Sequence, residues 1–211
     1  MEQCKIYDCE WHAHFSGVII DNKVYVLDEE NKQAHVSTLV RGPWEDSLLP
    51  LMQFYIGHYD EPLDSEDNHS KWGLINLLTG EIAVPPIYDY VYPFCAGLAQ
   101  VILNKKVGFV DKTGKVIGGI VWDEAHTFLG AAICAVRQGS LWGYIGRDGN
   151  LIFEPQFEEV GKWEKLSQFP TYGEERSRLL ARVKKDGKYG WIDDQGNYLL
   201  KPEFDSVGKW V

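Results

Sequence analysis

A glycine-anchored motif recurs along the chain, and it constrains the fold more than any other feature. In each copy an apolar or aromatic residue precedes the anchor glycine, and a β-branched residue stands two places after it. The copies occupy residues 71–76, 106–111, 141–146 and 188–193, with anchors at Gly73, Gly108, Gly143 and Gly190, spaced by 35, 35 and 47 residues. Such a period is typical of repeat proteins, in which each unit packs against its neighbours.

Each copy continues into a second set of matched positions. A turn glycine follows the anchor in every copy: Gly80, Gly114, Gly149 and Gly196. Because glycine takes the positive φ that tight hairpin turns need, each unit is predicted to begin with a β-hairpin. Further on, an aromatic residue is followed at once by an acid: Tyr88–Asp89, Trp122–Asp123, Phe157–Glu158 and Phe204–Asp205.

This combination resembles the WG (KWG) repeat family. The resemblance rests on Lys71-Trp-Gly-Leu-Ile-Asn76, the turn glycine, the Pro-x-aromatic-acid run and the segment from Phe94 to Ala99. It covers residues 71–211, about two thirds of the chain. Val107 and Tyr189 replace the tryptophan in two copies, and Ile120 replaces the proline in one. The resemblance implies a structural role for the pattern, with the aromatic residues packed between units.

The first 70 residues contain a degenerate copy, because Val18–Val24 aligns with Val101–Val107 and Asn31 stands at the turn-glycine position. The predicted organisation is one repeat domain, 1–211, of five units: 1–70 with an acidic insertion, 71–105, 106–140, 141–187 with an insertion at 164–178, and 188–211.

The predicted fold is all-β, built from tandem hairpin or meander repeats. The last unit lacks its final strand, and the segment near Trp11 has the pattern of that strand. We therefore expect a propeller-like ring of about five units closed by the N-terminal strand, since closure removes exposed sheet edges. The alternative is an open, solenoid-like array with atypical terminal caps.

Charge restricts the class of partner. The net charge is −10 and the isoelectric point is near 5.0, so phosphates would be repelled and no nucleic acid is expected. A basic protein suits an acidic surface better. No apolar run is long enough for a membrane helix and no signal peptide is visible, so we expect no membrane contact and a cytoplasmic location.

The repeated acids raise the question of catalysis. Acids converging on a channel would suit a glycoside hydrolase, but that chemistry needs two carboxyls in different environments. Acids repeated in every unit suit turns, where they accept backbone N–H bonds. No phosphate loop, nucleophile elbow or zinc motif is present, so we predict no enzyme activity, catalytic residue, metal or cofactor.

Two insertions, 34–70 and 164–178, break the period, and repeat proteins often place their function in such loops. Aromatic anchors beside acids would suit a basic protein. The predicted partner-binding residues are Trp44, Tyr59, Asp60, Glu61, Asp64, Glu66, Asp67, Glu174 and Glu175.

The first functional hypothesis is a non-enzymatic protein–protein interaction module. Its specific form is an immunity or antitoxin-type protein that neutralises a basic toxin. The alternatives are a glycan-binding or glycan-hydrolysing β-propeller and a structural repeat scaffold.

Overall fold

Every regular element in the computed structural model is a β-strand. The structure describes residues 2–8, 13–27, 33–35, 51–57, 69–95, 97–128, 131–165 and 179–208. These ranges hold twenty strands and no helix, and thus no helix that could cross a membrane. The predicted all-β class is confirmed, and the strands form several antiparallel sheets.

Seven strands form the first sheet: β1 (Glu2–Asp8), β2 (Ala13–Ile20), β3 (Lys23–Leu27), β4 (Gln33–His35), β5 (Leu51–Ile56), β6 (Lys71–Asn76) and β7 (Ile82–Tyr88). Their order across the sheet is β4-β3-β2-β1-β5-β6-β7. The N-terminal strand β1 lies between β2 and β5 and is antiparallel to both.

Each later sheet includes a two-residue strand that directly follows a repeated acid. The second sheet contains β8 (Tyr90–Val91), β9 (Leu98–Leu103), β10 (Lys106–Asp111) and β11 (Val116–Trp122). The third contains β12 (Glu124–Ala125), β13 (Ile133–Gln138), β14 (Leu141–Gly146) and β15 (Leu151–Phe157). The fourth contains β16 (Glu159–Val160), β17 (Glu164–Lys165), β18 (Leu179–Lys185), β19 (Lys188–Asp193) and β20 (Tyr198–Phe204).

Strand order repeats from sheet to sheet. It is β11-β10-β9-β8 in the second, β12-β13-β14-β15 in the third and β16-β18-β19-β20 in the fourth, with β17 also paired to β18. The predicted units from residue 71 onward begin at the first residues of β6, β10, β14 and β19. By its internal contacts the chain forms two compact units, residues 1–116 and 117–211.

The anchor glycine is explained by a bulge that recurs in the first, third and fourth sheets. In the third sheet Trp142 lies opposite Phe157, but Tyr144 lies opposite Phe153, so the outer strand advances four residues while the inner strand advances two. The bulged backbone passes over the glycine: a Cβ on Gly143 would lie 2.5 Å from the Phe153 carbonyl oxygen. Any larger residue would push the outer strand away.

Aromatic rings pack where the third and fourth sheets meet, and one of these contacts joins two predicted units. In the unit formed by residues 117–211, the rings of Tyr144 and Trp163 are 6.0 Å apart, and those of Phe153 and Tyr198 are 5.2 Å apart. These contacts join the third sheet to the fourth. The buried core they surround consists of Ile133, Ala135, Tyr144, Phe157, Ala181, Val183 and Ile192.

The unit formed by residues 1–116 has its own core within the first sheet. Its buried members are Cys4, Ile6, Val24, Val26, Phe54, Ile75 and Leu77. Cys4 and Ile6 come from β1, so the N-terminal strand contributes side chains to this core as well as hydrogen bonds to the sheet. Burial of one such aliphatic side chain stabilises the fold by about 2 kcal/mol.

Ring closure through the N-terminal strand is not shown by these pairings. Residues 2–8 of β1 pair with β2, and residues 5–7 also pair with β5. Strand β2 is likewise paired on both sides, with β1 and with β3. The strands expected to complete the C-terminal repeat therefore have their partners within the first sheet.

Candidate functional site

The repeated acids hold hairpin turns in place. The carboxylate of Asp89 accepts a hydrogen bond from the backbone N–H of Asn104 at 2.6 Å. Asp123 accepts one from Gly139 at 2.7 Å, and Glu158 accepts one from Gly187 at 3.1 Å. In each case the acceptor follows the last strand of one sheet, and the donor lies in the tight turn between the two long inner strands of the next sheet. The predicted turn role is therefore observed, although the turn belongs to the following sheet.

The lysine of the motif pairs with the same acid. Lys71 contacts the carboxylate of Asp89 at 2.5 Å, and Lys188 contacts that of Asp205. In the third copy Leu141 replaces the lysine, and Lys184 lies 3.7 Å from Glu158 instead. These pairs are partly exposed, so each contributes little to stability, but they fix the orientation of the carboxylate.

The motif aromatics differ in how far they are covered. Trp72 is fully buried, with the ring of Tyr55 at 4.7 Å and that of Tyr90 at 4.8 Å. Trp142 and Tyr189, in residues 117–211, are only half-buried. The motif aromatic is therefore fully covered in the first copy and partly accessible to solvent in the third and fourth.

A row of three side chains crosses the third sheet beside Trp142. Arg137 lies opposite Trp142 on one neighbouring strand and opposite Glu124 on the other. The guanidinium of Arg137 lies 5.8 Å from the Trp142 ring centre, and its Nε and Nη2 donate to Glu124 at 3.0 and 2.9 Å. Its Nη1 donates to the Gly139 carbonyl at 2.7 Å, so the guanidinium is held at three points.

The fourth sheet repeats this arrangement at the same register. Lys184 lies opposite Tyr189 and opposite Glu159. Its amine donates to Glu159 at 2.8 Å and lies 5.3 Å from the Tyr189 ring centre. The hydrogen bond with Glu159 is the main reason that the pKa of Lys184 is raised. We call Glu124–Arg137–Trp142 and Glu159–Lys184–Tyr189 the charged–aromatic rows.

A histidine extends the first row. The His126 ring lies 4.9 Å from that of Trp142. Burial lowers the pKa of His126, Glu124 opposes this shift, and Lys162 adds to it. The neutral imidazole is therefore favoured beside the indole, where burial and the charge of Lys162 both oppose protonation.

The cation of each row is less exposed than its acid. Glu124 and Glu159 are each 52% exposed, whereas Arg137 and Lys184 are 31% and 23% exposed. The cations are thus held between an aromatic ring and an accessible carboxylate. Tryptophan, tyrosine and arginine dominate the energetics of protein interfaces, and ion pairs that are already oriented lose little entropy on binding.

The predicted partner-binding residues lie outside the described part of the chain. This holds for the whole set: Trp44, Tyr59, Asp60, Glu61, Asp64, Glu66, Asp67, Glu174 and Glu175. Their role stays a prediction.

The rows were not predicted from sequence, although a signal exists. Arg137 and Lys184 stand six residues before the anchor glycines Gly143 and Gly190, and Ile102 stands at the same distance before Gly108. This position faces the motif aromatic across the hairpin, so a cation there indicates a charged–aromatic pair.

The comparison with known families agrees with this geometry. The WG containing repeat model matches residues 72–106, 108–142, 142–165 and 189–211, more than half of the chain. The search of curated proteins found no match to this chain. The repeated hairpin, its bulge over the anchor glycine and the acid that holds the next turn are thus the structural content of the motif. The chain belongs to the WG-containing repeat family.

Proposed function

We propose that this protein is a non-enzymatic protein-interaction module that uses its charged–aromatic rows to contact a partner. The WG repeat family suggests a repeat-based interaction module. The observation that carries the proposal is the recurrence of the same row, Glu–cation–aromatic, on two successive sheets of residues 117–211. Two equivalent elements at a fixed separation suit a partner surface that contacts both at once.

The use of the repeated acids supports a non-enzymatic function. Asp89, Asp123 and Glu158 all accept a hydrogen bond from a backbone N–H of the next turn. Glycoside hydrolysis requires one carboxyl to act as an acid and another as a base or nucleophile, which demands different environments. Equivalent carboxylates committed to turns do not supply that difference.

The alternative of glycan binding is disfavoured by what covers the rings. Sugars stack on an open aromatic face, but Arg137 lies over Trp142. Arg182 and Lys184 both lie over Tyr189, at 5.1 and 5.3 Å from the ring centre. A glycan array is expected to show no retention.

The proposed partner is a basic protein. Residues 28–67 contain ten acids and only two basic residues, so they account for most of the net charge of −10. Such a concentration of charge attracts a basic partner and speeds encounter. An immunity or antitoxin-type role, in which the partner is a toxin, is the specific form of this proposal.

The test starts from capture of partners by the intact protein at low ionic strength, followed by calorimetric titration with the purified partner. Trp142→Ala and Tyr189→Ala are each expected to weaken binding at least 10-fold, as for central interface aromatics. Leu151→Ser is the matched control, because it changes a 41%-exposed apolar side chain of the third sheet outside the rows. Equal effects of all three variants would refute a role for the rows.

Charge is tested separately with the same partner. Replacement of Asp60, Glu61, Asp64, Glu66 and Asp67 by their amides is expected to slow association and to flatten its dependence on salt. Unchanged salt dependence would exclude these acids from the interface. If the captured partner is a toxin, co-expression with this protein should restore growth, and failure of rescue would refute the immunity role.

A further inference from the structure

Successive sheets are joined in one recurring way. The two-residue strand after each acid pairs with the first long strand of the next hairpin: Tyr90 with Ile102, Glu124 with Arg137, and Glu159 with Lys184. The acid itself binds the turn of that hairpin, as described above. The aromatic residue before the acid is buried each time, with exposures of 2%, 5% and 0% for Tyr88, Trp122 and Phe157.

The fourth copy has only half of this pattern. Phe204, the equivalent aromatic, is 44% exposed. The carboxylate of Asp205 forms an ion pair with Lys188, just as that of Asp89 does with Lys71. Asp89 also holds the turn at Asn104 through its second oxygen, whereas Asp205 has no such backbone partner among the described residues, and its side chain is 92% exposed. The surface formed by Phe204, Asp205, Ser206 and Val207, here called the terminal joint, thus has the pattern that binds a hairpin in the other sheets, and no hairpin of the described residues occupies it.

A hairpin of the required kind is present in the first sheet. The turn between β2 and β3 has Asp21 and Asn22 at φ 47° and 61°, and Asn104 and Lys105 in the turn held by Asp89 have φ 52° and 61°. Both are two-residue turns with two left-handed residues, the geometry of type I′. An acid that binds one of these turns can therefore bind the other through the same N–H.

The edge of that hairpin is occupied by the start of β1. Glu2 pairs with Ile19 and Gln3 with Val18. In the second sheet the equivalent positions, Ile102 and Val101, pair with Tyr90 and Val91 of the acid-led strand. Residues 2 and 3 therefore occupy the place that an acid-led strand takes in the other repeats. Within the described part of the chain they pair with β2 alone, since β5 contacts β1 at residues 5–7.

We propose that the terminal joint of one molecule binds the β2–β3 hairpin of a second copy, and that Glu2 and Gln3 compete for the same edge. Asp205 binds the Asp21–Asn22 turn, Ser206 and Val207 pair with Ile19 and Val18, and Phe204 becomes buried. The occupant is a second copy because each molecule carries both halves of the joint. The start of β1 thereby acts as a cap that limits head-to-tail assembly.

The experiment weakens the cap in the intact protein. Glu2→Pro removes the backbone N–H that faces Ile19 and so disfavours pairing at residues 2 and 3, while residues 5–7 keep their contacts with β5. Sedimentation equilibrium is expected to show self-association at least 10-fold tighter than in the wild type. Adding Asp205→Ala should return self-association to the wild-type strength. Glu154→Ala, which removes an exposed carboxylate from the third sheet, is the control, and adding it should leave the tighter self-association unchanged.

Three results would overturn the proposal. One is a folded Glu2→Pro protein that associates no more tightly than the wild type. Another is association that Asp205→Ala leaves unchanged. The third is a result in which Asp205→Ala destabilises the monomeric Glu2→Pro protein but not the wild type, which would place the joint within one molecule. If Glu2→Pro fails to fold, as far-ultraviolet circular dichroism would show, Glu2→Gly with Gln3→Gly provides the same test while retaining the backbone donors.

Discussion

Several residue types in this protein have one role that recurs from copy to copy. The anchor glycines Gly73, Gly143 and Gly190 lie under a bulged strand, and the acids Asp89 and Asp123 hold turns. Each role depends on a single atom or its absence: a missing Cβ in the glycine and a carboxylate oxygen in the acid. Substitutions at these positions therefore have effects that can be predicted residue by residue.

Gly143→Ala is expected to lower the free energy of unfolding by about 2–4 kcal/mol, because the new methyl group would collide with backbone atoms rather than with a flexible side chain. The nearest are the Phe153 carbonyl oxygen at 2.5 Å and the Pro155 nitrogen at 2.9 Å. Urea unfolding measures the change. Gly208→Ala is the control, since nothing lies within 4 Å of its added Cβ. Equal stabilities of the two variants would contradict the bulge argument.

Tyr144→Phe is expected to raise the free energy of unfolding by about 1 kcal/mol. The Tyr144 hydroxyl is buried without a hydrogen-bond partner among the described residues, and burial raises its pKa. Removing an unsatisfied buried hydroxyl removes its desolvation cost. Phe109 stands at the equivalent position of the second copy, so phenylalanine suits this repeat geometry. A loss of stability in urea unfolding would mean that the hydroxyl has a partner.

At the scale of elements, the tight turn connects successive sheets. A turn is held by its own hairpin on one side and by the acid that follows the preceding sheet on the other, as at Gly139 and Asp123. The short strand after the acid then adds two residues to the next sheet. Loss of the acid therefore affects both the turn and the strand that follows the acid.

Asp123→Ala is expected to destabilise the protein by about 1–2 kcal/mol, because it leaves the Gly139 N–H without its acceptor. Asp123→Asn should cost less, since an amide oxygen can accept the same bond. Hydrogen exchange at Gly139 provides a local measurement and should accelerate in Asp123→Ala only. Equal exchange rates in both variants would show that the carboxylate does not hold the turn.

His126, which directly follows β12, is expected to lower the stability of the folded protein in mild acid. The folded-state pKa of His126 lies below the ordinary value of 6.5, chiefly because of burial. As pH falls below 6.5, the unfolded chain takes up a proton before the folded protein does, so stability is lost between 6.5 and the folded pKa. The loss is complete once both states are protonated.

His126→Gln removes this contribution. Thermal unfolding between pH 7.5 and 5 should therefore show a steeper decline in the wild type than in the variant. Carboxylates that titrate at lower pH contribute equally to both proteins, so the difference between the curves reports His126 alone. Parallel curves would contradict the assigned pKa direction.

For the whole molecule, the uneven distribution of charge matters more than its total. The net charge is −10, and ten acids but only two basic residues fall within residues 28–67. Repulsion between like charges opposes compact structure and is reduced by salt, whose screening length is about 10 Å at 0.1 M. Stability should therefore depend on ionic strength.

Raising sodium chloride from 10 to 200 mM is expected to increase the melting temperature by about 2–4 °C, equivalent to roughly 1 kcal/mol for a chain of this size. The variant in which Asp60, Glu61, Asp64, Glu66 and Asp67 become amides should show a smaller increase. Calorimetry measures both. A larger increase in the variant would mean that these acids form stabilising pairs rather than repelling one another.

Much of the local structure could be predicted because it depends on nearby residues. The hairpins follow from the anchor and turn glycines, and the turn role of Asp123 follows from its position beside Trp122. Which turn the acid would bind could not be predicted, because the Gly139 donor stands 16 residues further along the chain and belongs to the next sheet. The charged–aromatic rows escaped prediction for the same reason: Glu124, Arg137 and Trp142 meet across three strands.

By itself, the sequence determined the repeat, the all-β class and the family, because these depend on chain-local turn chemistry and on a period that one-dimensional alignment reveals. Only the tertiary structure decided where the N-terminal strand pairs, since Ile6 and Phe54 meet across a long sequence separation and share one buried core. Edge pairing is a competition between strands of similar pattern. Its outcome depends on which side chains become buried, and that is a property of the folded chain.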